Sequence, residues 1–255
     1  ELTEMMVGEK ISLDIERSEP KNSVDRLIVK GVDCFNSDGI KVLDDISFTA
    51  KSGEILGIAG ISGCGQKELL EAIAGLQPVE KGSICYVEDD GTRDELIGKD
   101  PLSIQSLGVS LSFVPEDRLG MGLVGNMDLA DNMMLRSFRK GKGFFTDRKT
   151  PRRLTKKIVE ELSVKTPSID TPVRKLSGGN VQKVLVGREI ASAPKVLLTA
   201  YAVRGLDINS SHTIYDLINQ QKQKGVAVIY VGEDLDVLLE LCDRILVLCA
   251  GKVSG

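Results

Sequence analysis

The residues best placed to do chemistry are Gly60, Gly63 and Gly65, in the stretch GIAGISGCGQKELL that begins at Gly57. A phosphate-cradling loop needs several backbone N–H groups aimed at one point beside a helix N-terminus. Glycine permits both the torsions and the close approach. The stretch follows an apolar run, GEILGIAG, and precedes a helical pattern carried by Leu69, Leu70, Ile73 and Leu76, as such a loop requires. A dinucleotide fingerprint fails, because its third glycine, counted from Gly63 and Gly65, falls on Glu68. The pattern G-x-x-x-x-G-K-[ST] fits at its glycines and fails at its last two positions, which hold Gln66 and Lys67. A lysine there reaches the outer phosphates with a charge-assisted bond of roughly 1.5–3 kcal/mol. The hydroxyl after it ligates Mg²⁺, which an ammonium cannot do. Lys67 comes one residue late, and one step along a helix turns a side chain by about 100°. Cys64, inside the loop, reads as a small filler. Taken alone, the pattern also describes an ordinary strand–turn–helix junction.

A second segment, KLSGGNVQK, places Ser177, Gly178 and Gly179 at the opening of a helix, where exposed N–H groups make another anion site. About two dozen residues later comes PKVLLTAYAVRGLD. With these three stretches the chain resembles the ATP-binding domains of ABC transporters. LSGGN is similar to their signature motif, RGLD (Arg204 to Asp207) to their D-loop, and FVPEDR (Phe113 to Arg118) to their Q-loop region. The resemblance runs from about residue 24 to residue 255. A closer similarity is to the second half of tandem ATPase subunits of simple-sugar and nucleoside importers. ELTEMMVGEK resembles the junction after a first domain, and TPSIDTPVRKLSGGN and GEDLDVLLELCDRI resemble the nucleoside-import branch. The expectation is therefore the C-terminal half of a longer subunit.

The resemblance also marks what is missing. The family ends the KVLL strand in Asp-Glu, one organising Mg²⁺ and the other polarising the attacking water. This chain has Ala200 and Tyr201 there, Glu233 at the switch histidine, and Glu116 at the Q-loop glutamine, a departure that related import subunits share. No catalytic residue and no metal ligand is expected intact, and a positioned general base alone contributes typically about 10²–10⁴-fold. The signature survives. In the family, ATP is clamped between the loop of one domain and the signature of the other. Ser177, Gly178, Gly179, Asn180 and Asp207 would then serve ATP and Mg²⁺ held by an N-terminal ATPase domain, while the chain's own loop would hold ATP weakly or without hydrolysis. Further partners implied are membrane permease subunits and, indirectly, a substrate-binding protein, at the cytoplasmic face of the membrane, with no nucleic acid. Phe35, 25 residues before Gly60, stands where the family stacks adenine; a core strand residue is the other reading. Met121, Met127, Met133 and Met134 read as core, or as an adaptable groove for a permease helix. Two rival functions stay open. One is a self-sufficient ATPase in which Lys67 and Glu233 take over. The other is a non-transport tandem ABC protein at ribosomes or DNA, which a strongly basic linker would favour and the acidic-leaning SLDIERSEPKNS does not.

These residues need a scaffold, and the periodicity supplies one. RLIVKGVDCF and ISFTAKSG predict strands of an opening sheet. GEILGIAG, GVSLSFVPEDR, KVLLTA, VAVIYVG and RILVLCAGKVSG predict strands that mostly alternate with helices, hence a largely parallel sheet covered on both faces. The stretch between, with helices in DLADNMMLRSF and TPRRLTKKIVEELSV, reads as a helical insert. The resemblance makes this an α/β P-loop NTPase with a RecA-like core, an N-terminal antiparallel β subdomain and an inserted α-helical subdomain at about 117–178, preceded by a polar linker at 1–23 with little core of its own. The chain's 255 residues can bury a core of that size. A net charge of −4 argues against nucleic-acid binding by electrostatics alone. No apolar run approaches the ~18 residues of a membrane span, and the first residues carry no signal core. The chain does not begin with Met, which fits a fragment. Five scattered cysteines and a single histidine, His212, argue against zinc or disulfides and for a reducing compartment. His212 reads as a surface helix residue. Nine basic residues against one acid between Arg139 and Lys157 read as a solvated face, or as a contact for an anionic surface or partner.

Overall fold

The computed structural model describes residues 15, 17–20, 23–137 and 147–255. Residues 139–146 of the basic stretch from 139 to 157, and most of the linker, lie outside the described residues.

Two sheets form the scaffold. The first is antiparallel and four-stranded. It contains β1 (Asp25–Phe35), β2 (Lys41–Lys51), β4 (Lys81–Val87) and β5 (Arg93–Glu95), in the order β2-β1-β4-β5. The second holds β3 (Ile55–Ala59), β6 (Leu111–Val114), β7 (Val196–Ala200), β8 (Ala227–Val231), β9 (Arg244–Cys249) and β10 (Lys252–Val253), ordered β10-β9-β3-β8-β7-β6. All neighbours in it are parallel except the β9–β10 hairpin. β3, β7 and β8 are buried at every residue, which is why they read as continuous apolar runs. Helices α1 (Gln66–Ile73), α5 (Gly178–Ala191), α6 (Ile208–Gln223) and α7 (Leu235–Leu241) make the crossovers. A short α2 (Pro101–Ser106) leads into β6, and α3 (Leu129–Met134) and α4 (Lys149–Glu161) form the insert between β6 and α5. Sequence reasoning missed β4, β5 and α2.

The strands share one direction, so their C-terminal ends open on one edge. β3 delivers the glycine loop there, β6 delivers Glu116, β7 delivers Tyr201 and β8 delivers Glu233. Ligands of open α/β sheets bind at this edge.

The described part of the expected linker is packed rather than free. Ile15 lies against the core cluster that includes Val228, Tyr230 and Leu241. Arg17 donates to the carbonyls of Cys242 (2.7 Å) and Leu239 (3.3 Å), closing the C-terminus of α7. The Ser18 carbonyl accepts from Lys222, whose ammonium also pairs with Asp243 at 2.6 Å. Asp243 in turn accepts from Ile55 N at 2.8 Å. Lys222 and Asp243 are almost wholly buried, so a backbone carbonyl from the incoming chain completes a buried polar group, which polarity alone gave no reason to expect.

Candidate functional site

The glycine loop has the torsions of a backbone nest. Gly60, Gly63 and Gly65 have φ of 156°, 85° and 100°. At two of them a side chain is excluded twice over. A Cβ on Gly60 would lie 2.5 Å from the Leu248 carbonyl oxygen, and one on Gly65 would lie 2.6 Å from that of Val42. Cys64 is buried, and its carbonyl and thiol accept from Gly251 N (3.2 Å) and Ala250 N (3.4 Å). It ties the loop to the β9–β10 turn, so it does more than fill space.

The loop's interior is taken up by its own chain. Gln66 is 2% exposed, and its Nε2 donates to the Ile61 carbonyl at 3.1 Å. A Cβ on Gly60 would fall 2.6 Å from that same nitrogen, so the amide lies directly under the loop. Lys67 is half exposed, with its ammonium 3.8 Å from Glu71 one turn along α1, and it lines a cavity of about 280 Å³ together with Glu116 and Ala200.

At the end of β7, Ala200 is buried and Tyr201 turns the chain with φ 50° while donating its N–H to the Val231 carbonyl at 2.9 Å. Burial pushes the Tyr201 phenol up, and Glu116 and Glu233 push it the same way. Arg204 stands 5.8 Å from the centre of the Tyr201 ring, pairs with Glu116, and approaches Glu233 at 3.2 Å. Sequence reasoning quoted Arg204 within RGLD but gave it no role. Its two acids lie 88 residues before it and 29 after it, so no local pattern marks the cluster.

Across the molecule's LSGGN segment, Ser177 holds the N-cap backbone position of α5 without a side-chain cap. Asn180 explains why: its Nδ2 donates to Ser177 Oγ at 2.8 Å, and its Oδ1 accepts from Lys165 N at 2.8 Å. The serine oxygen is thereby engaged as an acceptor, and its hydroxyl proton is left for another partner. Ser177 and Gly178 are exposed, so the first N–H groups of a 14-residue helix face out of the protein. The two glycines admit close neighbours: Arg118 Nη1 would lie 3.2 Å from a Cβ on Gly178, and Ser210 Oγ 2.8 Å from one on Gly179. Asp207 caps α6 by accepting from Ser210 N (2.9 Å) and Oγ (2.8 Å), and these bonds hold its carboxyl below the usual range.

Phe35 ends β1 with its ring 41% exposed, so it is not a core residue. The methionines divide. Met133 is core, while Met121 is exposed beside Leu76 and Leu102 on a cavity of about 630 Å³. The floor of that cavity carries Glu189, fully buried and paired with Arg136 and Arg188, whose Nη2 also donates to the Gly122 carbonyl at 2.7 Å. His212 sits edge-on to Tyr215 on α6, partly exposed. Among the described residues no group of three or more His, Cys, Asp or Glu could hold a metal ion, and no helix is long and apolar enough to cross a membrane.

A sequence model of the ABC transporter family matches residues 43–199. Curated relatives include a xylose import ATP-binding protein of Moorella thermoacetica, 33% identical over 98% of this chain and 49% of its own length. A glucose import ATP-binding protein of Haloferax volcanii is 35% identical over 99% and 46%, and a guanosine import ATP-binding protein of Bacillus subtilis 32% over 99% and 49%. The chain thus spans about half the length of the curated relatives it matches. Among solved structures, a dimeric bacterial ABC transporter cassette superposes with a TM-score of 0.76 over 90% of this chain and 97% of that one, at 22% identity, which speaks for the fold. From motif order, architecture and these likenesses together, the chain belongs to the ABC transporter ATP-binding family.

Proposed function

We propose that this chain is the nucleotide-binding domain of an ABC importer for nucleosides or simple sugars, and that it lends its LSGGN face to ATP held by a partner ATPase domain while turning over none in its own cleft. One contrast carries the reading: Gln66 is buried under the glycine loop, whereas Ser177 and Gly178 at the start of α5 are exposed and without a side-chain cap. The residues of the chain's own cleft do not fit Mg·ATP. Gln66 takes the place of a phosphate-binding lysine, position 67 offers no hydroxyl, and Ala200 offers no carboxylate. Glu116 and Glu233 would oppose a triphosphate, and the nearby Arg204 is already engaged by both. On the other face, Ser177 Oγ–H and the N–H groups that follow it fit an anion as donors.

The same contacts weigh against a self-sufficient ATPase, since Lys67 is turned to Glu71 and Glu233 to Arg204. The import relatives weigh against a ribosomal or DNA role. In this reading the ATP-supplying partner is an N-terminal ATPase domain of the same longer subunit. The ATP-binding domain proper begins near residue 24, with Ile15, Arg17 and Ser18 packed onto it and the insert at about 117–178 as its helical subdomain. Its cavity beside Leu76, Leu102 and Met121 receives a permease helix at the cytoplasmic face of the membrane, and a substrate-binding protein acts through the permease. Phe35 is left as an exposed stacking platform.

The test is a titration of the chain with a fluorescent ATP analogue, with and without Mg²⁺, repeated with the N-terminal domain added. Binding that appears only in the pair supports the proposal. Tight, Mg²⁺-dependent binding with turnover by the chain alone overturns it.

A further inference from the structure

Two carboxylates meet across the end of β7, Glu116 arriving after β6 and Glu233 after β8, because those strands flank β7 in the sheet. Like charges brought together by a fixed topology need a counter-charge. The chain provides it from the next turn. Tyr201 reverses direction with its left-handed torsion, the Arg204 N–H closes the turn onto the Tyr201 carbonyl at 3.1 Å, and the guanidinium reaches both acids. The connection continues through the backbone. The Arg204 carbonyl accepts from Arg118 Nη2, and the other terminal nitrogen of Arg118 occupies the space beside Gly178, 3.2 Å from where a Cβ would stand at the start of α5. Arg118 is half-buried, makes no ion pair among the described residues, and leaves a turn that Asp117 fixes by accepting from Gly120 N at 2.8 Å.

We propose that Arg204 is a positioning residue that stands in for a nucleotide in this chain's own cleft. It holds the Glu116 loop, the Glu233 loop and, through Arg118, the start of α5 in one arrangement with no phosphate bound. The sense of that arrangement rests on the proposed function, since it presets the LSGGN face for a partner. The physical coupling is tested without any partner. No single contact here is strong, because the three charged side chains are between one-third and one-half exposed. The guanidinium joins the Glu116 and Glu233 segments to the 201–204 turn, and the turn's own carbonyl at Arg204 carries the connection on to Arg118.

Hydrogen exchange read by mass spectrometry on the whole chain tests it, using the parent, Arg204→Ala, Arg204→Lys and the double variant Glu116→Ala/Glu233→Ala, with and without Mg·ATP. Arg204→Ala should speed exchange about threefold, the scale that exposed pairs support, both in 201–206 and at the first bonded amides of α5, 181–184. Strands β3 and β8 should not change. Arg204→Lys keeps the charge and loses the fork, so it should fall between parent and alanine. The double acid variant should repeat the alanine pattern. Mg·ATP should leave the parent's protection in these segments unchanged. A response confined to 201–206, one spread over β3 and β8, or protection added by Mg·ATP would overturn the proposal. Uncoupled exchange in a chain that binds no ATP removes only this role of Arg204, whereas Mg²⁺-dependent binding and turnover removes the proposed function.

Discussion

At the scale of single residues, the glycine loop separates two reasons for being glycine. Gly63 has φ 85° but nothing within 4 Å of a Cβ, whereas Gly65 has φ 100° and the Val42 carbonyl oxygen at 2.6 Å. A left-handed torsion costs a side chain about 1–2 kcal/mol. Gly63→Ala should lower the urea unfolding free energy by about that much, and Gly65→Ala by distinctly more, because a backbone oxygen cannot step aside. Equal losses would show that the loop's attachment to β2 is not tight. The thiols give a second reading. Burial pushes Cys34 up to about 11 and Cys242 up to about 12, while Cys249 is exposed. The native chain should therefore alkylate at Cys249 near pH 8 and spare Cys34 and Cys242. The same shifts set a sign for stability. Above the ordinary thiol range the unfolded chain loses these protons and the folded chain keeps them, so stability is fully present below about pH 8.5 and falls as pH rises toward 11–12. Urea midpoints that rose over that interval would contradict the assignment.

At the scale of elements, the helices and strands that read clearly were those carrying their own periodicity, β3, β7, β8, α1, α4 and α6 among them. The others are held by neighbours. β5 is three residues with a single partly buried side chain, and it exists because it pairs with β4. α2 buries only Ile104, and it is set by Asp100 accepting from Ser103 N at 2.7 Å and by Pro101 in its first turn. Neither gives a window of 3.6-residue spacing to read. The same holds for the site. The glycines, Gln66, Lys67, Ala200 and Tyr201 were legible because they lie in contiguous motifs. Arg204's pairing with Glu116 and Glu233, and Asn180's hold on Ser177, depend on which segments the sheet brings together. The buried Lys222–Asp243 pair was illegible for that reason too, and it makes an element-level prediction. Lys222→Met strands a buried carboxylate and should cost about 3–5 kcal/mol in urea unfolding. Deleting residues 1–20 removes the Ser18 carbonyl, the Arg17 bonds and the Ile15 packing, and should cost about 1–3 kcal/mol. A deletion with no effect would return residues 15–20 to the status of a free linker.

At the scale of the whole molecule, one sheet edge and one helix start are treated in opposite ways. The edge where parallel strands end is occupied in part by the chain's own groups: Gln66 under the glycine loop, and Arg204 between two acids. The start of α5 is stripped of its cap and left facing outward. The helix between them is anchored toward its far end by Glu189 and Arg188 on the cavity floor, and beside them by Ile158 packed where a Cβ on Gly187 would lie 2.7 Å away. α5 therefore joins the outward-facing donors to the cavity proposed for a permease helix as one stiff piece. A protein that spent its own phosphate on transport would have kept the first site open; a protein that completes another's site needs only the second. The measurement that tests this most directly is the ATP hydrolysis rate of the proposed partner ATPase domain paired with this chain, with Gly178→Asp placed at the start of α5. The account predicts a fall of about 10²-fold or more, the scale of disabling a preorganised donor, because a carboxylate there obstructs the backbone N–H groups and repels a phosphate. An unchanged rate would contradict it.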